Sequence, residues 1–145
     1  MIDLDNQTAL HIDLLALEKI ASFLTTKKIE LIIVDNKTMQ TLNFEHKGKD
    51  SSTDVLSFPV DAPFTEQSNF DMPLGSIVIS QKYVKEKAEV LSHTIQDELS
   101  LLFIHGMLHL LGFDHEKDEG EMRIREEELI KIFDLPKSLI VRTGE

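Results

Sequence analysis

The chain has 145 residues, of which 41% are hydrophobic and 28% are charged, and it carries a formal net charge of −11 at pH 7. This length and balance predict one soluble globular domain, spanning residues 1–145, with a core of ordinary size. The absence of cysteine excludes disulfides and thiolate metal ligands, and the absence of a signal peptide or a long apolar stretch predicts a cytoplasmic protein with no membrane partner.

The first half of the chain predicts two helices with a strand between them. The elements are a helix over residues 13–25, a strand from Ile29 to Val34, a helix over about residues 36–45 and a polar loop over residues 47–52. Asp13 and Asp35 are placed to cap the two helices through their carboxylates. In the second helix, Met39, Leu42 and Phe44 are expected to face the core.

The second half predicts two strands followed by a helical region. The elements are a strand over residues 54–60, an excursion or lid over residues 61–73, a strand from Leu74 to Ile79, a helix over about residues 81–91, a long helix beginning at His93 or Thr94, and a last helix over about residues 119–133. Pro59 lacks an N–H group, which either places the first of these strands at a sheet edge or ends its pairing. Ser80 is expected to cap the helix that follows it. Strands with intervening helices and a helical C-terminal half predict an α+β fold.

Three of the six histidines lie in one window, His105-Gly-Met-Leu-His109-Leu-Leu-Gly112-Phe-Asp-His115. On a helix, His105 and His109 project from one face, with Cβ atoms about 5–6 Å apart. Gly112 can adopt the left-handed conformation that ends a helix, so the returning chain can bring His115 to the same point. Three neutral imidazoles with one coordination position left open are typical of a catalytic zinc site. We therefore predict one Zn²⁺ ion bound by the three histidines.

The spacing is that of the long zinc-peptidase motif H-E-x-x-H-x-x-G-x-x-H, except at its second position. There Gly106 replaces the glutamate that a peptidase uses as general base. The ligand spacing leaves a zinc peptidase open, whereas the missing carboxylate favours a different zinc chemistry. His11 and His93 lie outside any such motif, and we interpret them as surface or capping residues.

Each acidic residue near the predicted site has two interpretations. Asp114 either orients a histidine ring as a second carboxylate or bonds its own backbone in a turn. Asp54 has the same alternatives, and a turn or strand-start role is favoured. A further group of acidic residues is expected to begin a helix near its positive dipole end rather than bind a second metal. This group is Glu116, Asp118, Glu119 and Glu121.

The histidine window resembles the signature of the YbeY family of bacterial endoribonucleases, also called rRNA maturation factors. Two further segments are similar to that family, in the same order along the chain. They are Leu42-Asn-Phe-Glu-His-Lys-Gly-Lys-Asp-Ser-Ser-Thr-Asp-Val-Leu-Ser-Phe-Pro, which contains the family's T-D-V-L-S-F-P stretch, and Leu74-Gly-Ser-Ile-Val-Ile-Ser, which resembles its following strand. The resemblance covers roughly residues 30–135.

This resemblance implies a zincin-like fold, in which a small mixed β-sheet packs with helices in a single domain. It implies that His105, His109 and His115 bind zinc and that the substrate is single-stranded RNA, notably precursor rRNA at the 3′ end of 16S rRNA. The implied partners are the small ribosomal subunit and its assembly factors, with no DNA partner. Because the net charge is negative, RNA binding would require a basic cleft on an acidic body.

The chain departs from the family pattern at two places. The family usually has Tyr-Arg at His46-Lys47, where the arginine serves activity, and Gly-Asp at Gly75-Ser76. Lys47 keeps the positive charge but lacks the bidentate fork of arginine. We assign catalytic roles to Lys47 and His105, and Lys47 or Lys49 is the expected cation that stabilises charge developing on phosphoryl oxygens. The alternative is that both are solvated loop lysines, and this alternative is favoured for Lys49.

Three functions therefore stand as hypotheses: a zinc-dependent endoribonuclease, a zincin-type metallopeptidase, and a non-catalytic ribosome-assembly factor with a structural zinc. Within the first, either zinc-activated water or the neighbouring ribose 2′-OH attacks the phosphodiester. Ser57 and Phe58 are expected along the edge strand of the cleft. Phe58 either stacks on a base there or packs in the core.

Overall fold

The computed structural model describes residues 1–60 and 72–136, which form four strands and five helices. The strands are β1 (Ile2–Asn6), β2 (Ile29–Val34), β3 (Val55–Pro59) and β4 (Gly75–Ser80). The helices are α1 (Leu14–Leu24), α2 (Asn36–Lys47), α3 (Gln81–Val90), α4 (Ile95–Leu110) and α5 (Glu121–Ile132). The α+β class predicted from the sequence is confirmed. Within the described residues, no helix is both long enough and apolar enough to cross a membrane.

The sheet is mixed and has the strand order β1-β2-β4-β3. β1, β2 and β4 run parallel, whereas β3 runs antiparallel to β4. β3 therefore forms one edge of the sheet, which confirms the position predicted from Pro59. This edge strand packs against α4, so the two elements meet at the side of the molecule where the histidine window lies.

The two faces of the sheet are covered unequally. On one side, which we call the α4 face, Leu31, Ile77 and Ile79 pack into the main core with α1 and α4. The residues of α4 from 98 to 104 are all buried, so this helix is the centre of the core. On the other side, the α2 face, a smaller buried cluster lies against α2. Its members are Val34, Met39, Leu56 and Val78.

Side-chain caps set the starts of three helices. Asp13 accepts a hydrogen bond from the Ala16 N–H at the start of α1, and Asp35 accepts one from the Thr38 N–H at the start of α2. α4 begins at Thr94 with a capping box that Asp97 completes. The predicted caps at residues 13 and 35 are thus confirmed.

Some sequence expectations were wrong or incomplete. β1 was not predicted, although buried Ile2 and half-buried Leu4 alternate with exposed acidic residues there. Phe44 is 55% exposed rather than part of the core, because the buried face of α2 runs through Met39 and Asn43 and the next residue is rotated away from it. Ser80 occupies the N-cap position of α3, but its side chain makes no capping hydrogen bond. The predicted lid lies largely outside the described residues.

Candidate metal centre

The chain reverses its direction at the end of α4, within the histidine window. Gly112 has φ +102°, the left-handed conformation that glycine adopts most readily. Its N–H donates to the His109 carbonyl at 3.0 Å, and the Phe113 N–H donates to the Leu108 carbonyl at 2.9 Å. This pair of bonds is the Schellman motif, which ends a helix and reverses the chain. The predicted role of Gly112 is confirmed, and the reversal carries His115 toward the helix.

The three histidines of the window converge on one point. The ring centroids of His105 and His109 lie 4.7 Å apart, and each lies 5.3 Å from that of His115. Each ring offers a nitrogen, and the three nitrogens all lie within 4.8 Å of one another. His105 and His109 are half-buried and His115 is exposed, so the group lies at the base of an opening rather than in the core.

Hydrogen bonds determine which nitrogen of each helical histidine is protonated. His105 Nδ1 lies 2.6 Å from Glu126 Oε1, and His109 Nδ1 lies 3.1 Å from the Phe113 carbonyl oxygen. Carboxylate and carbonyl oxygens accept hydrogen bonds and do not donate them, so both Nδ1 atoms carry the proton. The Nε2 atoms of the neutral rings are then left with lone pairs directed at the same point.

These two Nε2 atoms are 3.1 Å apart. Two lone pairs at that distance repel each other unless a cation lies between them. Two nitrogens bound at about 2.0–2.1 Å to one tetrahedral zinc ion would lie about 3.3 Å apart. The protonation pattern and the spacing of the donor atoms therefore fit a divalent metal ion.

The surroundings of His109 also favour its neutral, metal-binding form. Burial lowers the pKa of His109 below its usual value, because the charged ring would lose hydration. Positive charge on His105 and His115 lowers this pKa further, whereas the hydrogen bond to Phe113 and the charge of Asp114 act in the opposite direction. The net direction is downward, so the lone pair on Nε2 stays available near neutral pH.

Glu126 is the site residue that the sequence analysis missed. It lies on α5, is 5% exposed, and holds the ring of His105 from behind. On α5 it belongs to the buried stripe that also contains Met122, Leu129 and Ile130. A glutamate inside an otherwise apolar helical stripe was the signal available in the sequence, because a buried carboxylate requires a partner.

Asp114 and Asp54 both line the cleft, and both bond the nearby backbone. Asp114 Oδ1 accepts from the Glu116 N–H at 3.0 Å, as expected of a turn residue. Asp54 Oδ1 accepts from the Val55 N–H at 2.8 Å at the start of β3. Asp118 accepts from the backbone N–H groups of residues 120 and 122 and so begins α5. For these three residues the structural interpretation agrees with the contacts.

The histidines open into a cleft of about 870 Å³ between the end of α2, β3, α4 and the loop that precedes α5. Lys47, from the last turn of α2, lines the same cleft, whereas Lys49 is not among its lining residues. Ser57 also lines it, and its hydroxyl donates to the Gly106 carbonyl at 3.2 Å. Phe58 points the other way, into the α2 face.

Gly106 explains how α4 approaches the sheet. A Cβ atom built on this residue would lie 2.9 Å from Ile77 Cγ2, which is closer than such atoms can pack. The second position of the histidine motif therefore faces β4, and a glutamate there could not be accommodated without displacing the helix. Ser76, in β4, lies on the α2 face and does not line the cleft. On that face its hydroxyl donates a hydrogen bond to the Glu30 carboxylate at 2.8 Å. A carboxylate is thus present beside position 76, supplied by the neighbouring strand.

Comparison with known proteins gives a consistent result. The model of the family described as endoribonuclease YbeY matches residues 2–134. A protein named endoribonuclease YbeY from Sulfurovum sp. is 63% identical over 98% of this chain and 97% of its own length. Another from Wolinella succinogenes is 55% identical over 100% of this chain and 99% of its own length. A solution structure of a Thermotoga maritima protein is similar with a TM-score of 0.60 at 25% identity, covering 92% of this chain and 89% of that one.

Proposed function

The chain belongs to the YbeY family of endoribonucleases, and from that membership we propose that it is a zinc-dependent endoribonuclease specific for single-stranded RNA. Its substrate would be precursor rRNA, including the 3′ end of 16S rRNA. Its partners would be the small ribosomal subunit and its assembly factors, in the cytoplasm. One observation carries the proposal: two histidine nitrogens with free lone pairs face each other at 3.1 Å in a cleft that also contains a lysine.

His105, His109 and His115 would hold the ion. A zinc ion bound by three neutral imidazoles lowers the pKa of bound water toward about 7 and offsets negative charge on a phosphoryl oxygen. The chain's own groups prepare the site for this chemistry. The Glu126 carboxylate and the Phe113 carbonyl keep the two helical rings in the required tautomer, so no proton has to leave Nε2 when a cation binds.

Lys47 would bind the phosphate of the substrate. Lys47 lines the cleft together with the three histidines. Negative charge on the phosphoryl oxygens is greatest as the phosphodiester is attacked, and a nearby fixed cation stabilises that charge more than it stabilises the ground state. Because an ammonium acts as a point charge rather than a planar fork, it tolerates some movement of the phosphate.

The test is an incubation of purified protein with single-stranded RNA and, separately, with casein, each with and without a chelator. We expect RNA to be cut, the cutting to stop on chelation, and zinc to restore it. Casein should remain intact, because no carboxylate occupies the general-base position of a peptidase. Cleavage of casein would instead support a metallopeptidase. Ribosomal particles that bind while neither substrate is cut would support an assembly factor with a structural zinc.

The ends of the RNA products identify the nucleophile. A 2′,3′-cyclic phosphate on the upstream fragment means that the ribose 2′-OH attacked and the 5′-oxygen of the next nucleotide left. A 5′-phosphate with a 3′-OH means that water attacked and the 3′-oxygen left. Replacing the single 2′-OH at the cut with hydrogen abolishes the first route and leaves the second possible.

A further inference from the structure

Two aromatic rings contact each other on the α2 face, next in sequence to two residues that line the cleft. The ring centroids of His46 and Phe58 lie 4.8 Å apart, with their planes tilted by 56°. Phe58 is half-buried and packs against the small cluster of the α2 face. His46 is exposed, although it lies in the last turn of a helix beside this cluster. Phe58 therefore supports one side of the His46 ring while the ring itself remains accessible.

This pair is adjacent in sequence to two residues of the cleft. Lys47 follows His46 and lines the cleft, and Ser57 precedes Phe58 and lines it as well. Because successive side chains of a strand point to opposite faces, Phe58 lies just across the edge strand from Ser57. The aromatic pair and the histidine cluster are thus separated by the thickness of β3.

The electric charge differs between the two rims of the cleft. The rim formed by the end of α2 carries Lys47, with Lys49 close by in the sequence. The opposite rim carries three carboxylates, Asp114, Glu116 and Asp118, and one cation, Arg123, which is paired with Glu127 at 3.5 Å. Asp54, at the start of β3, also lines the cleft. Negative charge therefore predominates at the second rim, whereas the end of α2 offers the cation Lys47. A polyanion is repelled less on the α2 side, so it would enter over the end of α2 and cross the aromatic pair.

We propose that His46, supported by Phe58, forms a stacking platform for an unpaired base that neighbours the phosphate to be cut. This inference rests on the proposed endoribonuclease function and adds to it the means by which single-stranded RNA is placed. A base presents a flat π face, and an exposed imidazole ring offers a matching surface without selecting a particular base. A paired base cannot stack in this way, so the platform favours single-stranded substrate.

The experiment combines protein variants with altered substrates. Short single-stranded RNAs carry one abasic ribose, which is moved along the positions that flank the cut. With the natural protein, an abasic ribose at one position should lower kcat/KM by about 5- to 140-fold, the range that corresponds to the loss of one stacked base. His46→Ala should cut the complete RNA as poorly as the natural protein cuts that abasic RNA, and it should be insensitive to the abasic site. His46→Phe should again cut the complete RNA faster than the abasic RNA.

His11→Ala is the matched control, because His11 is also an exposed histidine but does not line the cleft. It should behave as the natural protein does with every substrate. The platform is ruled out if His46→Ala lowers the cleavage of complete and abasic RNA by the same factor, or does not change either. If the natural protein cuts no RNA, the endoribonuclease proposal fails instead. Fluorescence anisotropy with the same oligonucleotides then still tests the platform, since loss of stacking must weaken binding of the complete RNA only.

Discussion

The α4 face and the α2 face of the sheet differ in what they contribute to the site. On the α4 face, a large apolar core holds the helix that carries His105 and His109, and a buried glutamate fixes one of the rings. On the α2 face, four buried residues hold a helix whose last turn places Lys47 at the cleft and His46 against Phe58. The first face builds a rigid group of donors, and the second presents exposed polar side chains.

This difference follows from what each group has to do. Metal ligands need fixed positions within a fraction of an ångström, and dense packing around α4 provides them for His105 and His109. Groups that bind a flexible polyanion act through electrostatic attraction and ring stacking, and both interactions persist when the bound chain shifts slightly. Substitutions on the α4 side should therefore change metal binding and stability, whereas substitutions on the α2 side should change turnover alone.

The largest effect is expected for His109→Ala on the α4 side. The variant should bind no zinc and melt at a lower temperature than the natural protein. Its rate of RNA cleavage should fall by more than the roughly 10–100-fold that is typical when a residue hydrogen-bonded to a metal ligand is replaced. Elemental analysis and thermal denaturation measure these effects. With a chelator present, the melting temperatures of the variant and the natural protein should nearly coincide. An unchanged zinc content in the variant would refute the ligand assignment.

Glu126→Gln should weaken zinc binding by about 10- to 100-fold while the protein stays folded. The amide can still accept the hydrogen bond from His105 but no longer supplies the negative charge that strengthens the imidazole as a ligand. Competition with a zinc-binding dye measures the affinity. Glu128→Gln is the matched control, because it removes the same charge from α5 at an exposed residue that bonds Arg125. Equal affinities in the two variants would show that Glu126 is only a packing residue.

On the α2 side, Lys47→Ala should lower kcat for RNA by roughly 10- to 100-fold. This fall in kcat is smaller than the one expected when a fully buried hydrogen-bond donor is removed from an active site. Zinc content and melting temperature should stay at their natural values, since the side chain is exposed. Lys49→Ala, which removes a neighbouring charge from outside the cleft lining, should leave kcat nearly unchanged. Full activity of Lys47→Ala would remove this lysine from the site and weaken the contrast between the two faces.

The smallest effect concerns the seam between α4 and the sheet. In Gly106→Ala, the higher helix propensity of alanine should raise the free energy of unfolding by about 1 kcal/mol. The overlap of the new methyl group with Ile77 should lower it by about 1–3 kcal/mol. We therefore expect a net destabilisation of about 1 kcal/mol. In an Ile77→Ala background the same substitution should instead stabilise the protein, because its methyl group enters vacated space. Urea denaturation of the four proteins measures this change of sign. The same sign in both backgrounds would mean that Gly106 has another role.

Local patterns predicted much of the fold and the centre of the site. The helices that start after Asp13 and Asp35, the edge position of β3 and the reversal at Gly112 all follow from short stretches of sequence. β1 was missed because its stability comes from pairing with a strand more than twenty residues away. Glu126 was missed for the same reason, because its partner lies 21 residues earlier, on another helix.

The sequence by itself determined the candidate donor set: three imidazoles at helical and turn spacing, no cysteine, and a glycine where a peptidase has glutamate. These features are covalent or local, so they can be read without knowing which segments pack together. Tertiary structure alone decided that Glu126 orients His105, that Lys47 shares their cleft while Lys49 does not, and that His46 rests on Phe58. Each of these contacts joins segments distant along the chain, and only the packing of helices on the two faces of the sheet brings them together.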